Sequence, residues 1–499
     1  MGRQSVLAAG PLDVLGPIGP LFREGSTDVL SDEELLDHFL RDRSAGPWLF
    51  GVCRRIAVRA RADDLRRKAR ERRAPRCDPT HAKGSPRLPK TPGGRPGPSC
   101  MRSSIAVEGG RPMTRRMIVA IAVALFSIFA ATSRGEGRGA APDDVPEVLV
   151  SAFVPPALFR DDLGPYRSPL LRNDGKLVRD AGDWRRRREE ILATWHGFMG
   201  AWPLLIERPR VEVLGVERRD RFEQRRVRVE VARSRTMDGY LLVPDREGKG
   251  KGEGKCPAVL VVYYEPETAI GRGKAGRDFA VHLAGRGFVV LSLGIPPDQI
   301  TPGQGGYPEI QPLSYLAYVA ANAYEALAGM PDVDADRVGV MGHSYGGKWA
   351  MFASCLYEKF ACGVWSDPGI IFDESRPNVN YWEPWYLGWE PGRTRPRGVL
   401  TPESPRMGAY KKLVEAGHDL HELHALMAPR PFLVSGGSED PPERWRALNH
   451  AAAVDRLVGR DHGVAMTNRP GHDPTEESNE QIYRFLEYVL KPAGRARER

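Results

Sequence analysis

Apolar and polar residues follow two different periods along the second half of the chain. Short unbroken apolar runs are typical of strands buried on both faces of a parallel sheet, whereas apolar positions three or four residues apart are typical of helices packed against it. Two alternating segments come first and predict an antiparallel hairpin, at residues 225–231 and 239–243. The runs that predict buried strands are 258–264, 288–293, 337–341, 361–365 and 431–435. The predicted helices are 184–197, 278–285, 313–328, 345–357 and 478–490. This alternation predicts an α/β protein whose mostly parallel central sheet carries helices on both faces.

A glycine-rich motif stands where one of these strands meets the next helix. It reads Gly342-His343-Ser344-Tyr345-Gly346-Gly347 and fits the pattern Gly-x-Ser-x-Gly. Glycine has no Cβ, so it permits the close backbone approach of a sharp strand-to-helix turn. Such a turn exposes the serine hydroxyl and points the first helical N–H groups at the group that the serine attacks. We therefore predict Ser344 as a catalytic nucleophile, in a reaction that requires no metal and no organic cofactor.

A serine hydroxyl is a poor nucleophile while it keeps its proton, so the chemistry requires a base with a pKa near neutrality. His472 follows the last strand-like run, residues 463–467, and precedes the C-terminal helix. His343 adjoins the serine, and adjacent side chains on this turn point apart. We therefore predict His472 as the general base for Ser344.

An acid must orient the imidazole and stabilise the imidazolium that forms during the reaction. Asp440 lies on the loop that follows the strand 431–435, and it is the predicted acid, with Glu439 beside it as a substitute. Asp367 stands at the end of the strand 361–365 and stays open as the alternative acid.

Two backbone N–H groups are expected to stabilise the oxyanion of the reaction. The first belongs to Tyr345, the residue after the nucleophile. The second comes from the loop after the strand 258–264, from Tyr264 or from Glu265.

The order of these elements resembles the α/β-hydrolase fold, with an inserted lid between the last strands. Residues 184–491 resemble secreted carbohydrate esterases of the acetyl xylan esterase and glucuronoyl esterase type, within the dienelactone-hydrolase-like branch. The pattern Gly342-x-Ser344-x-x-Gly347-Lys348 is similar to that of glucuronoyl esterases, and the resemblance implies that Lys348 contacts the substrate. Those enzymes carry arginine directly after the serine, where this chain has Tyr345. Some of them place the acid on the earlier loop, as Asp367 would be here.

The resemblance implies a serine hydrolase of carboxylic esters, acting on acyl or uronoyl esters of polysaccharide or on small-molecule esters. Two alternatives stay open. Prolyl-oligopeptidase-type peptidases share the motif Gly-x-Ser-Tyr-Gly-Gly, but they gate the site with a β-propeller, for which the segment before the first strand is too short. The second alternative is a non-catalytic, carbohydrate-binding relative of the fold. The presence of an intact serine, acid and histidine argues against it.

Two further clusters of residues give weaker evidence for a chemical role. His418, His421 and His424 suggest a metal site, but a helix carries the third of them away from the face of the first, so a packed helix is predicted. The aromatic residues within 380–389 predict either a wall on which a sugar stacks or the core of the lid.

The N-terminal part of the chain differs in composition. Residues 1–112 contain 21 basic and 13 acidic residues, whereas the remainder holds 52 and 51 and is nearly neutral. Segment 30–73 resembles a fragment of an extracytoplasmic-function sigma factor, and residues 73–112, rich in Pro, Gly, Arg and Ser, are predicted to be disordered. The near-neutral remainder predicts no nucleic-acid partner for the catalytic domain.

Residues 113–134 read as a secretory signal peptide: two arginines precede the apolar run 117–131, and small residues follow it. A retained membrane anchor is the competing interpretation of this segment. Because a signal peptide works at a chain's start, we expect translation from Met113, with residues 1–112 contributed by an over-extended gene model or a fusion, and a catalytic domain over 142–492. The product is expected to be secreted or periplasmic, without stable membrane insertion once the signal is cleaved, and monomeric.

Overall fold

A computed structural model of the protein describes residues 145–245, 254–295 and 309–491. The predicted sigma-factor-like segment, the disordered stretch and the signal peptide lie outside the described residues. No helix within the described ranges combines the length and apolar character that crossing a membrane requires.

In the described part of the chain, nine strands form one sheet in the order β1-β2-β3-β5-β4-β6-β7-β8-β9. The strands β1, β2, β3 and β5 pair antiparallel in turn, and every pair from β5 through β4 to β9 is parallel. Their bounds are β1 Val211–Arg218, β2 Phe222–Ala232, β3 Arg235–Pro244, β4 Cys256–Tyr263, β5 Val289–Gly294, β6 Val333–His343, β7 Cys362–Ser366, β8 Phe432–Gly436 and β9 Val464–Asn468.

Helices cover both faces of this sheet. They are α1 Glu147–Val150, α2 Ala181–Met199, α3 Phe279–Gly285, α4 Pro312–Ala328, α5 Tyr345–Leu356, α6 Gly408–Glu415, α7 His421–Ala425, α8 Trp445–Leu457 and α9 Glu476–Leu490. Their ends follow ordinary capping chemistry: the Asp180 carboxylate accepts the N–H of Asp183 at the start of α2. Thr475 and Ser478 exchange side-chain and backbone hydrogen bonds at the start of α9.

The central strand β4 shows why apolar runs without alternation mark this sheet. Ala258, Leu260 and Val262 pack into the hydrophobic core on one face, and Val259 and Val261 pack into the core on the other. Successive side chains of a strand point to opposite faces, so a strand covered on both sides must be apolar at every position.

The predicted hairpin, the five predicted buried strands and the five predicted helices are confirmed to within a few residues. The edge strand β1 was missed because its side chains are mostly exposed, so it lacks an apolar stripe. Helix α8 was missed as well. Parallel strands β6 to β9 send the loops that follow them to one edge of the sheet, where the predicted site residues lie.

Candidate active site

Ser344 occupies a strained turn between β6 and α5. Its φ of 58° and ψ of −116° lie in a region that side-chain-bearing residues rarely adopt. Close packing maintains the turn: a Cβ added to Gly346 would lie 2.0 Å from the carbonyl oxygen of Val262, and one added to Gly342 would lie 2.1 Å from the oxygen of Gly346. The Ser344 N–H donates to the Ser366 carbonyl oxygen at 2.8 Å, which ties the turn to β7. The motif therefore forms the predicted nucleophile elbow.

His472 lies between the serine and a carboxylate. Its Nε2 is 2.8 Å from the Ser344 Oγ, and its Nδ1 is 2.7 Å from the Asp367 Oδ2. A carboxylate only accepts hydrogen bonds, so Nδ1 carries the proton and Nε2 is free to accept one from the hydroxyl. The imidazole is 30% exposed, whereas the Asp367 side chain has no exposed surface. The structure thus brings Ser344 and His472 together as predicted, and it completes them with Asp367.

The expectation that Asp440 contacts His472 is wrong, and the acid in contact is the alternative, Asp367. Asp440 turns its carboxylate to the loop after β7, where the N–H groups of Gly369 and Ile370 donate to it at 2.8 and 2.6 Å. Burial and the nearby charge of Asp367 raise the pKa of Asp440 to about 6. Strand β7 lies next to β6, which bears the serine, while β8 is one strand further away.

The Asp367 carboxylate is held by the loop after β8. Its Oδ1 accepts the N–H groups of Gly437, Glu439 and Asp440 at 2.7, 3.1 and 2.9 Å, and its Oδ2 is left to His472. Asp367 also has a positive φ of 52°. Three backbone donors fix the orientation of this buried carboxylate and leave its second oxygen directed at the imidazole.

Arg469 is a site residue that sequence reasoning missed. It is 7% exposed, and its guanidinium donates to the carbonyl oxygens of His472 and Asp473 at 2.7 and 2.9 Å. It also donates to the Ser435 carbonyl oxygen at 2.8 Å. Arg469 therefore fastens the loop that carries His472 to the end of β8. Its position three residues before His472 was the available signal.

Asp473 anchors the other side of the same loop. Lys274 and Arg277 donate to its carboxylate at 2.8 and 2.6 Å, and these hydrogen bonds lower its pKa to about 2. Asp473 is therefore ionised near neutral pH, and it ties the histidine loop to the segment before α3.

Tyr345 and Tyr264, the residues predicted to supply the oxyanion donors, are in side-chain contact. Tyr345 is the first residue of α5, so its N–H lacks the partner that a helix interior would supply. The rings of Tyr264 and Tyr345 stack with centroids 4.6 Å apart. The ring of Tyr345 is buried, whereas Tyr264 is 40% exposed at the rim.

Lys348, which the resemblance places in contact with the substrate, is surrounded by protein groups in the structure. It is 3% exposed, and its ammonium group donates to the carbonyl oxygens of Pro368 and, at 3.4 Å, of Asn378. Its Nζ also lies 4.4 Å from the centroid of the Tyr381 ring. Burial lowers the pKa of Lys348 to about 8. The lysine therefore holds the loop after β7 through its hydrogen bond to Pro368, the residue that follows Asp367.

Most aromatic residues of the insertion after β7 belong to a core. Tyr381, Trp382 and Tyr386 are buried, whereas Trp385 is partly exposed and has the guanidinium of Arg397 5.4 Å from its ring centroid. The Tyr386 ring also lies 5.6 Å from that of Tyr345. The insertion therefore packs against the elbow.

The three histidines of the segment 418–424 contact other groups of the protein: the His421 Nε2 lies 2.6 Å from the Arg167 carbonyl oxygen, and the His424 ring lies 5.3 Å from that of Trp365. Only the short segment His421–Ala425 of that stretch is helical, and the His418 Nδ1 contacts the Glu422 carboxylate at 2.8 Å. Within the described residues, the group whose ligand atoms come within 4.8 Å of one another is Asp367, Glu439 and His472. Asp367 and the imidazole of His472 are joined by the 2.7 Å hydrogen bond described above, so these two groups are already engaged with each other.

Comparison with known proteins adds two findings. The model of the prolyl oligopeptidase family matches residues 320–491, from within α4 to the end of α9. No curated protein matches the chain in sequence.

Solved structures match over a longer part. Two structures of a glucuronoyl esterase from Solibacter usitatus are 21% and 22% identical, with TM-scores of 0.51 and 0.52. The match covers 66% and 65% of this chain and 99% and 98% of theirs. A promiscuous esterase from the marine bacterial metagenome is 19% identical with a TM-score of 0.51, over 66% of this chain and 98% of that one.

These likenesses and the sheet order define the class: the chain has the α/β-hydrolase fold. The family match begins at residue 320 and gives no support to the sigma-factor resemblance of residues 30–73.

Proposed function

We propose that this protein is a serine hydrolase that cleaves carboxylic esters through an acyl-enzyme. The observation that carries the proposal is the continuous hydrogen-bonded chain from the Ser344 Oγ through His472 to the buried Asp367, with distances of 2.8 and 2.7 Å. Such an arrangement activates a hydroxyl for attack on a carbonyl carbon.

In the proposed first half-reaction, the Ser344 Oγ bonds to the ester carbonyl carbon while its proton passes to the His472 Nε2. The negative charge that develops on the carbonyl oxygen is stabilised by the Tyr345 N–H, with Tyr264 as the proposed second donor. The intermediate collapses as the bond to the alcohol oxygen breaks, and His472 returns the proton to that oxygen.

In the second half-reaction, a water molecule gives its proton to His472 and attacks the acyl-enzyme. The bond between the acyl carbon and the Ser344 Oγ then breaks, His472 returns the proton to that oxygen, and the acid product leaves. Asp367 holds the imidazole in place and stabilises the imidazolium in both steps.

We propose acyl or uronoyl esters of polysaccharide as the substrates. The names of the structural neighbours, which include glucuronoyl esterases and an esterase described as promiscuous, support testing this class. Tyr345 stands where glucuronoyl esterases have arginine, and Lys348 is buried, so neither offers a cation to a uronate. These two positions favour neutral acyl groups, such as acetyl.

The family match over residues 320–491 makes a serine peptidase the second candidate. A propeller that gates the site is the feature expected of that class. Within the described residues before β1, residues 145–210, the structure contains helices α1 and α2 but none of the named strands. The ester hydrolase is therefore the better-supported reading.

One substrate panel tests the proposal. The purified chain is offered acetylated xylan, a glucuronate methyl ester, nitrophenyl acetate and a chromogenic prolyl peptide. We expect hydrolysis of the acetyl esters, and we expect Ser344→Ala to abolish it. Ser375→Ala, at an exposed loop serine, is the matched control and should keep wild-type rates. Cleavage of the peptide without cleavage of the esters would establish the peptidase instead.

A further inference from the structure

Asp440 and Asp367 hold each other's loops in a reciprocal arrangement. The Asp440 N–H donates to the Asp367 Oδ1 at 2.9 Å, and the Asp440 carboxylate accepts the N–H groups of Gly369 and Ile370, two and three residues after Asp367. Each acid therefore uses its own carboxylate to bind the backbone next to the other acid. Both side chains are buried.

The segment held in this way is conformationally demanding. Asp367 has a φ of 52°, and Gly369 has a φ of 77°. Non-glycine residues adopt positive φ only when their surroundings enforce it. The two oxygens of Asp440 engage one N–H each, and these bonds fix the backbone immediately after the strained residue.

Charged groups from other elements complete the surroundings of Asp440. The Arg444 Nε lies 3.9 Å from its Oδ1, and the buried ammonium group of Lys348 binds the Pro368 carbonyl oxygen between the two acids. Arg469, on the loop that carries His472, supplies a further positive charge that interacts with Asp440. A buried carboxylate beside Arg444, with both oxygens engaged by backbone donors, is suited to hold a conformation.

We propose that Asp440 is a positioning residue: its carboxylate holds the loop after β7 in the conformation that aims Asp367 at His472. This inference rests on the proposed function for its kinetic consequence, but the contact between Asp367 and His472 can be observed without any substrate.

The test compares Asp440→Asn with Asp419→Asn in the full chain. An asparagine side chain offers one acceptor oxygen and an NH₂ donor, so one of the two N–H groups of Gly369 and Ile370 loses its acceptor. Asp419 is the matched control, because it also accepts two backbone N–H groups, one of them from Phe372 on the same loop, at 2.9 Å. It does not contact Asp367.

The first readout is the strongly downfield proton resonance expected of the His472 Nδ1–H bound to Asp367. We expect this resonance in the wild type and in Asp419→Asn, and its loss or marked upfield shift in Asp440→Asn. The second readout is the rate of nitrophenyl acetate hydrolysis. We expect kcat to fall about 10- to 100-fold in Asp440→Asn with KM changed less than about threefold, because a misplaced acid costs rate and not binding.

Asp440→Ser removes the carboxylate without adding an amide donor, and it serves as the second variant with the same expected results. Retention of both the resonance and kcat in a folded Asp440 variant would overturn the proposal. Failure of both variants to fold, with Asp419→Asn folded, would overturn it too, since the carboxylate would then be required for the fold itself. Wild-type protein that shows the resonance but hydrolyses no ester would refute the proposed function and leave this inference standing.

Discussion

The His472 Nδ1 lies 2.7 Å from the Asp367 Oδ2, so the acid that orients the imidazole comes from the loop after β7 and not from the loop after β8. Replacing Asp367 by asparagine would leave the shape of the site intact but present an amide to the imidazole, which favours the wrong tautomer. We expect Asp367→Asn to lower kcat about 10⁴-fold with little change in KM. Steady-state kinetics with nitrophenyl acetate measure this.

Asp440→Asn provides the internal comparison for that prediction. Its kcat should lie between those of the wild type and Asp367→Asn. The assignment of the acid is wrong if the order is reversed and Asp440→Asn is the more damaged variant.

Lys348 gives a second prediction, on specificity. Because its ammonium group binds the backbone beneath Asp367 and is nearly inaccessible, Lys348→Met should lower kcat/KM for a glucuronate ester and for a neutral acetyl ester by the same factor. A lysine that touched the uronate would show a much greater loss on the glucuronate ester. Measuring both esters on one preparation removes any error from partial unfolding.

The glycines of the elbow give a prediction on stability. A Cβ at Gly346 would lie 2.0 Å from the Val262 carbonyl oxygen, so Gly346→Ala must displace the turn from β4, at a cost of about 3 kcal/mol or more. Gly197 is the control, since it is an exposed residue of α2 with nothing within 4 Å of an added Cβ. Gly197→Ala should stabilise the protein by about 0.5–1 kcal/mol. Urea unfolding measures the free energy of unfolding of both variants. Equal changes in the two variants would contradict the prediction.

His421 gives a prediction on pH. Burial lowers the pKa of this imidazole to about 4, and its Nε2–H donates to the Arg167 carbonyl oxygen at 2.6 Å. A histidine with a depressed folded pKa contributes its full stability above the unfolded pKa of about 6.5, and that stability is lost as the pH falls towards 4. Between pH 7.5 and pH 5 the loss amounts to about 2 kcal/mol.

The free energy that His421→Gln costs should accordingly be about 2 kcal/mol smaller at pH 5 than at pH 7.5. Urea unfolding at the two pH values measures the difference. A cost of His421→Gln that is the same at both pH values would show that the ring takes up its proton in the folded state.

The sequence predicted most of the fold, because β4 to β8 are buried on both faces and leave unbroken apolar runs. It predicted Ser344 and His472 because each stands at a fixed place relative to a strand and a helix. It could not decide between Asp367 and Asp440, since both follow the ends of neighbouring parallel strands. That choice depends on which carboxylate turns to the histidine and which turns to the backbone N–H groups of the other loop.

Lys348 and Arg469 fall outside sequence reasoning for a related reason. Both are cations near the serine or the histidine in the chain, and a cation near a site is easily read as a contact for substrate. In the structure both donate to backbone carbonyl oxygens and hold loops. Only the burial of the side chain, which the sequence does not reveal, distinguishes a cation that holds a loop from one that contacts substrate.

The most direct test of Ser344 as the catalytic nucleophile is to label it covalently with a reagent that reacts with activated serines. The full chain is treated with a fluorophosphonate, digested and analysed by mass spectrometry, while nitrophenyl acetate hydrolysis is followed in parallel. We expect one adduct, on the peptide that contains Ser344, with activity lost in proportion to labelling and with neither adduct nor activity in Ser344→Ala. Hydrolysis that persists in Ser344→Ala, or an adduct on another serine, would contradict it.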